Sequence, residues 1–267
     1  MNISGSLTTL SSWSDYYAPE GLSDKSPGHD IAAVQTQTPS LTSQDRERLR
    51  VQRSKALVEK ALQSSAIRDL YATACATPSI GGRLGPWQVQ FASITQGAAY
   101  EFRYRKIIIN TSCSDDDAIA FFVFGLTNVI NSENFIALNE MVKNGHMSCE
   151  KYVQEIERIA FEKMFLHSEV MQKAIQEMGW NNTLDCFRDL HSKLRAEVEK
   201  YHGEVRKEEL LEKMFERYWL RSKNLGTVKG YREQWERMAC TNMPMDSCRA
   251  KTSARIARAV GRASLFS

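Results

Sequence analysis

Residues 106–130 read KIIINTSCSDDDAIAFFVFGLTNVI. The isoleucine run at residues 107–109 is typical of a strand. Three aspartates at residues 115–117 then open a long apolar segment, residues 118–138, and carboxylates are favourable at the N-terminus of a helix. Because apolar side chains point in all directions over residues 118–130, we expect this helix to be central and buried.

A second strand signal precedes this segment. Trp87, Val89 and Phe91 alternate with other residues, which predicts a strand with one apolar face. Aromatic residues alternate with arginines from residue 102 onward and lead into the isoleucine run. These patterns predict a small antiparallel strand pair with a turn near residues 95–97. The expected fold is α+β and predominantly helical, with the strand pair packed on the buried helix and a helical C-terminal half.

Helix signals cover most of the remaining chain. Ser43 is expected to cap a helix that reaches about Ala72, and residues 77–86 have the composition of a linker. The Asn-Gly step at residues 144–145 predicts a helix end, after which a helix restarts behind Ser148 and continues to about residue 178. Three more helices, separated by Gly203 and Gly226, are predicted over residues 183–202, 204–221 and 227–239.

The composition changes along the chain. The first 44 residues hold 14 serines or threonines, no arginine and one lysine, Lys25; with four acids their net charge is −3. Such a segment lacks the apolar surface needed to offset its ordering entropy. We therefore expect a disordered secretion or regulatory arm over residues 1–44, an α-rich body over residues 45–240 with its sheet near residues 87–110, and a basic amphipathic tail over residues 241–267.

Several protein classes are disfavoured. The N-terminus lacks the basic region, apolar run and cleavage site of a secretory signal peptide. Since no stretch reaches roughly 18 consecutive apolar residues, we expect a soluble chain. The six cysteines contain no Cys-x-x-Cys pair, which favours free, mostly buried thiols, a reducing compartment, and neither metal nor cofactor.

Two groups of residues are candidates for catalysis. Cys113 lies between a strand and a helix N-terminus, where a helix dipole can lower a thiol pKa, although the neighbouring aspartates oppose this. His167 falls on the apolar face of the predicted helix, beside an acidic edge that includes Glu155 and Glu162. An acid/base pair of His167 with either glutamate is one interpretation, and a hydrogen-bonded core histidine is the other.

Two asparagines interrupt the buried helix. Asn128 and Asn131 need polar partners if they are buried, so they either line a site facing the Glu155 edge or mark where the helix reaches solvent.

The tail carries most of the positive charge. Its five basic residues and one acid give +4, so the rest of the chain sums to −1. In a helix, Lys251, Arg255, Arg258 and Arg262 share one face, which suits an anionic membrane or an acidic partner. The alternative is a helix docked on the body. Positive charge alone does not predict specific nucleic-acid binding, because no known module accompanies it.

Three serine- or threonine-proline steps occur at Ser26, Thr38 and Thr77. Proline-directed kinases act on exposed, extended segments of this kind, and a phosphate would add negative charge. These three residues are candidate phosphorylation sites.

The N-terminal segment MNISGSLTT resembles the uncleaved, serine-rich export signals of bacterial type III secreted effectors. Its serine-rich start, its length and its helix-rich body are also similar to the rhizobial nodulation outer protein P family. The resemblance implies a protein that leaves the bacterial cytoplasm without signal-peptide cleavage and enters plant cells. There it would modulate signalling, immunity or nodulation through host proteins, including kinases. The alternatives are an intracellular helical adaptor, and a hydrolase or transferase that uses the candidate catalytic residues.

Overall fold

The computed structural model describes residues 42–79, 82–202, 206–222 and 226–241. These ranges contain eight α-helices and three strands, which confirms a predominantly helical α+β fold. The elements are α1 (Ser43–Ala61), α2 (Ser65–Ala76), β1 (Gln88–Ala92), β2 (Ala98–Glu101), β3 (Lys106–Asn110), α3 (Asp115–Ile130), α4 (Ser132–Lys143), α5 (Cys149–Met178), α6 (Arg188–His202), α7 (Lys207–Ser222) and α8 (Gly226–Thr241).

The sheet differs from the predicted antiparallel pair. Its strand order is β1-β3-β2, with β2 antiparallel to β3 and β1 parallel to β3. Residues 102–104 form a 3-10 turn, and Arg105 follows in the left-handed conformation with φ 53°. This turn reverses the chain between β2 and β3, so the aromatic and arginine alternation marks a turn and not a strand.

Arg105 is almost fully buried and makes an unusual set of contacts. Its guanidinium group stacks 4.8 Å from the centre of the Trp87 ring. It also donates to five backbone carbonyl groups, those of Ala74, Cys75, Thr77, Arg83 and Gly85. Two of these carbonyls lie in the last turn of α2, where the helix dipole favours a cation. Arg105 therefore ties the end of α2 and the following linker to the sheet.

The first predicted helix is divided into two helices. α1 begins behind Thr42, which forms a capping box with Asp45, and it ends at Ala61. Ser64 then caps α2, and the Glu177 carboxylate accepts hydrogen bonds from the Ser64 hydroxyl and the Ser65 backbone N–H. These contacts satisfy the first backbone donors of α2 and explain why a new helix starts there.

Helix α3 is the buried central helix that the sequence predicts. Nine of its residues are buried: Ala118, Ile119, Phe122, Val123, Gly125, Leu126, Thr127, Asn128 and Val129. It ends at Ile130, earlier than the predicted Leu138, because α4 starts separately behind Asn131. At Gly125 the helix lies so close to the sheet that an added Cβ would be 2.7 Å from Tyr100 Cε1.

The chain divides into two compact units. Of the described residues, one unit contains those within 42–130 and 163–191, and the other contains those within 131–162 and 192–241. In the second unit, Tyr152 and Ile156 of α5 pack with Val228 and Tyr231 of α8. The predicted stop at residues 144–145 is confirmed, with Gly145 at φ 72°. Gly203 lies outside the residues that the structure describes.

Membrane crossing by one helix is not indicated within the described ranges, where no single helix is long and apolar enough. Helices α3 and α4 reach the required length and composition only as a broken pair.

Candidate functional site

His167 lies on α5 inside the first unit, with 0% of its surface exposed. Two aromatic rings meet it edge-on, Phe124 with its centroid at 6.0 Å and Phe187 at 5.1 Å. Edge-to-face packing of this kind encloses the imidazole in an apolar shell.

The hydrogen on the neutral imidazole is assigned to Nε2. This atom is 3.3 Å from the carbonyl oxygen of Ala120, which can only accept a hydrogen bond. Nδ1 is then an acceptor, and it faces Oδ1 of Asp185 at 3.8 Å without forming a hydrogen bond. Burial lowers the pKa of His167 to about 4, against the opposing effect of the Asp185 carboxylate.

Asp185 is held by three donors. Its Oδ2 accepts from the Ser168 hydroxyl at 2.6 Å and from Gln172 Nε2 at 3.2 Å. Its Oδ1 accepts from the backbone N–H of Phe187 at 3.1 Å, just before α6 begins. Three hydrogen bonds thus fix the orientation of this buried carboxylate.

This arrangement joins α5 to the segment before α6. It resembles a serine-histidine-aspartate set in composition only, because Ser168 donates to Asp185 and has no hydrogen bond to His167. A catalytic group must also reach a substrate, whereas all three side chains are buried. The geometry supports the core-histidine interpretation. Asp185 could not be matched to His167 from the sequence, since it lies 18 residues away and beyond the end of α5.

The two glutamates of the acid/base hypothesis belong to a different group of contacts, in the second unit. The Arg158 guanidinium forms a two-bond ion pair with Glu212 of α7, and its Nε is 3.9 Å from Glu155. Burial raises the pKa of Glu162, while Arg158 opposes the change. The carboxylate facing His167 is therefore that of Asp185, and neither glutamate takes the position that the hypothesis assigned to it.

Cys113 lies in the loop between β3 and α3. Burial and the nearby Asp117 raise the pKa of its thiol, and Arg53 opposes them. Arg53 itself donates to the carbonyl oxygens of Thr111 and Cys113 and to the carboxylate of Asp115. The loop is thus fixed to α1, but its thiol is less ionised than an ordinary cysteine.

Asn128 does not face the Glu155 edge. Its Oδ1 accepts a hydrogen bond of 2.9 Å from Nζ of Lys163, and both residues are buried in the first unit. Asn131 stands at the N-cap position of α4. Lys163 and Asn128 are both buried and therefore not accessible to a ligand. Their hydrogen bond is a buried polar link between α3 and α5.

Thr77 is the only phosphorylation candidate within the described ranges. Its hydroxyl donates to the Thr73 carbonyl at 2.9 Å, at the end of α2. Ser26 and Thr38 lie outside those ranges, as do the four basic tail residues Lys251, Arg255, Arg258 and Arg262.

The described cysteines are free thiols, but none is fully buried, in contrast to the expectation. Within the part of the chain that the structure describes, no group of three or more His, Cys, Asp or Glu residues is placed to hold a metal ion.

The comparisons with known proteins give no relative. No protein-family model, curated protein or solved structure matches this chain significantly.

Proposed function

We propose that this chain is an effector that a bacterial type III secretion system delivers into plant cells, where its helical body acts by binding host proteins. The observation that carries the proposal is the composition of residues 1–44, with 14 serines or threonines, one lysine and no arginine. Export signals of this class are read from a polar, uncleaved N-terminus.

The start of the body is compatible with a separate export segment. The first turn of α1 is completed by Thr42 and Asp45 within the helix start itself. Helix α1 therefore needs no capping group from residues further upstream. This organisation supports a division of labour in which the residues before α1 direct transport and the body performs the work in the host.

Binding is favoured over catalysis by what the candidate catalytic groups do. His167 is enclosed by aromatic rings, Glu155 and Glu162 accompany Arg158, and the pKa of Cys113 is raised. Each group thus has a structural contact that accounts for it, which supports an interaction protein over a hydrolase or transferase.

The plant host, and a role in signalling, immunity or nodulation, rest on the resemblance to the nodulation outer protein P family. Within this proposal, host kinases act on Ser26 and Thr38. The basic tail residues contribute about 1 kcal/mol each to attachment at an anionic membrane surface.

A reporter fusion tests the delivery route. Residues 1–45 are fused in front of a calmodulin-dependent adenylate cyclase, and cyclic AMP is measured in plant cells infected with strains that have or lack a working type III system. We expect cyclic AMP only with the working system. The matched control carries the same 45 residues at the reporter's C-terminus and should give no signal. Equal signals from the two strains, or none from either, would remove the proposal.

A further inference from the structure

Strand β1 lies at an edge of the sheet, and within the described residues its outer backbone groups have no hydrogen-bond partner. The Gln88 N–H donates to Arg105 and the Ala92 carbonyl accepts from Thr111, so the even-numbered residues face β3. In a parallel strand the intervening residues direct their N–H and C=O groups the other way. Val89 and Phe91 therefore present two donors and two acceptors on the outer edge, and no hydrogen bond from these groups to another described residue is found.

A groove runs along this edge, between β1 and α1. Its volume is about 550 Å³, within the range of ligand-binding pockets. Four consecutive residues of β1 line it, Gln88 to Phe91, which shows that it follows the strand. The facing side of α1 contributes Val51, Ser54, Lys55 and Val58, whose i, i+3, i+4, i+7 spacing places them on one helix face.

The groove combines apolar walls with excess positive charge. Val51 and Val58 of α1 and Val89 of β1 supply apolar surface, and Val51 is 55% exposed. Five charged residues line the groove: Glu47, Arg50, Lys55, Glu59 and Lys106. Glu47 and Arg50 form an ion pair at 3.7 Å, while the other three make no ion pair with another described residue. Outside the Glu47–Arg50 ion pair, the groove therefore has two cations, Lys55 and Lys106, and one anion, Glu59.

From these features we propose that the groove binds an extended acidic peptide of a partner protein, which adds to the free edge of β1 as a further strand. Backbone hydrogen bonds to Val89 and Phe91 provide the register. Alternate side chains of the peptide pack against Val51 and Val58, and its carboxylates pair with Lys55 and Lys106. The proposal extends the binding function to a defined surface, yet it does not depend on the export route, since a chain that is never exported has the same groove.

Amide hydrogen exchange in the full chain tests the proposal, read by nuclear magnetic resonance at Val89 and Phe91. The probe is an acetylated, amidated heptapeptide that alternates Glu with Val and has Glu at both ends. We expect the probe to slow exchange at both amides about tenfold or more. The same peptide with Lys in place of Glu should have little effect.

Two further probes separate strand addition from nonspecific charge attraction. Only every second peptide N–H faces β1, so N-methylation of one alternate set should abolish the protection, and methylation of the other set should leave it intact. Equal effects of the two methylated peptides would overturn the proposal, because a peptide held by charge alone has no register.

Protein variants provide the matched controls. Val89→Pro removes an outward donor without removing a bond to β3, and proline is tolerated at a strand edge. It should abolish the response at Phe91. Reversal of both cations, with Lys55→Glu and Lys106→Glu, should abolish binding, whereas Lys173→Glu on the exposed surface of α5 should not. Unchanged exchange at both amides overturns the proposal, as does slow exchange without any peptide, since the chain itself would then cover the groove.

Discussion

Nδ1 of His167 lies 3.8 Å from Oδ1 of Asp185, with both side chains buried. In the neutral imidazole this places an acceptor opposite an acceptor, so the contact provides no hydrogen bond. Asp185 already accepts three hydrogen bonds from other groups, and the aromatic shell disfavours a positive charge on the His167 ring. The pair therefore makes the stability of the first unit sensitive to acid.

This sensitivity gives the first prediction. The neutral ring is favoured in the folded chain, where the pKa of His167 is about 4, whereas the unfolded chain binds a proton near pH 6.5. Stability is thus lost as the pH falls from 6.5 towards 4, by about 2 kcal/mol between pH 7 and pH 5. Urea unfolding at the two pH values measures the loss.

Two matched variants identify the group that causes the loss of stability at low pH. His167→Gln retains a donor towards the Ala120 carbonyl and removes the titrating group, so it should reduce the loss between pH 7 and pH 5. His146→Gln, at an exposed position, should leave it unchanged. An undiminished loss in His167→Gln would show that another group causes it.

Arg105→Lys is the second prediction. The guanidinium group reaches five carbonyl oxygens and stacks on Trp87, whereas an ammonium group has three donors and no planar face. We expect a loss of about 2–4 kcal/mol in the free energy of unfolding. Arg103→Lys, two residues earlier and exposed, should change the free energy of unfolding by less than about 0.5 kcal/mol. Similar effects of the two substitutions would contradict the role of Arg105.

Gly125→Ala is the third. Alanine is about 1 kcal/mol better than glycine in a helix. Here its Cβ would lie 2.7 Å from Tyr100 and 2.9 Å from Ile107, and overpacking of this kind costs about 1–3 kcal/mol. We expect a net loss of stability. Gly230→Ala in α8, where nothing lies within 4 Å, should instead stabilise the chain by up to about 1 kcal/mol. Thermal unfolding of both variants measures these changes in stability. If Gly125→Ala stabilised the chain, α3 would be able to move away from the sheet.

The fourth prediction concerns the thiol of Cys113. Because its pKa is raised, less thiolate is present at neutral pH and alkylation should be slow. The rate of carbamidomethylation at pH 7.5, followed by peptide mass spectrometry, should be below that of free cysteine. A rate well above it would restore Cys113 as a nucleophile.

The sequence predicted those parts of the fold that depend on local pattern. The aspartates at residues 115–117 and the apolar residues behind them identified α3, and the Asn-Gly step at residues 144–145 placed the end of α4. The sheet topology was not predictable in this way. It depends on Arg105, whose left-handed conformation is stabilised by carbonyl groups 20 to 31 residues earlier in the chain.

In the candidate site, too, local pattern predicts the position of a residue but not its distant partner. Helical periodicity placed His167 on the buried face of α5, as the structure has it. Periodicity within one helix cannot identify a partner that lies beyond its end, so it points to the neighbouring glutamates and not to Asp185. The groove beside β1 likewise has no signal in either segment alone, because it forms only where α1 passes the edge of the sheet.

Export by a type III system from an uncleaved N-terminus is best tested by the intact mass of the exported protein. The full chain is expressed in isogenic strains with and without a working type III system, and protein from the medium is weighed by mass spectrometry. We expect a chain that retains residues 1–44 and is recovered only with the working system. Recovery from both strains, recovery of a shortened chain, or its complete retention in the cells would contradict it.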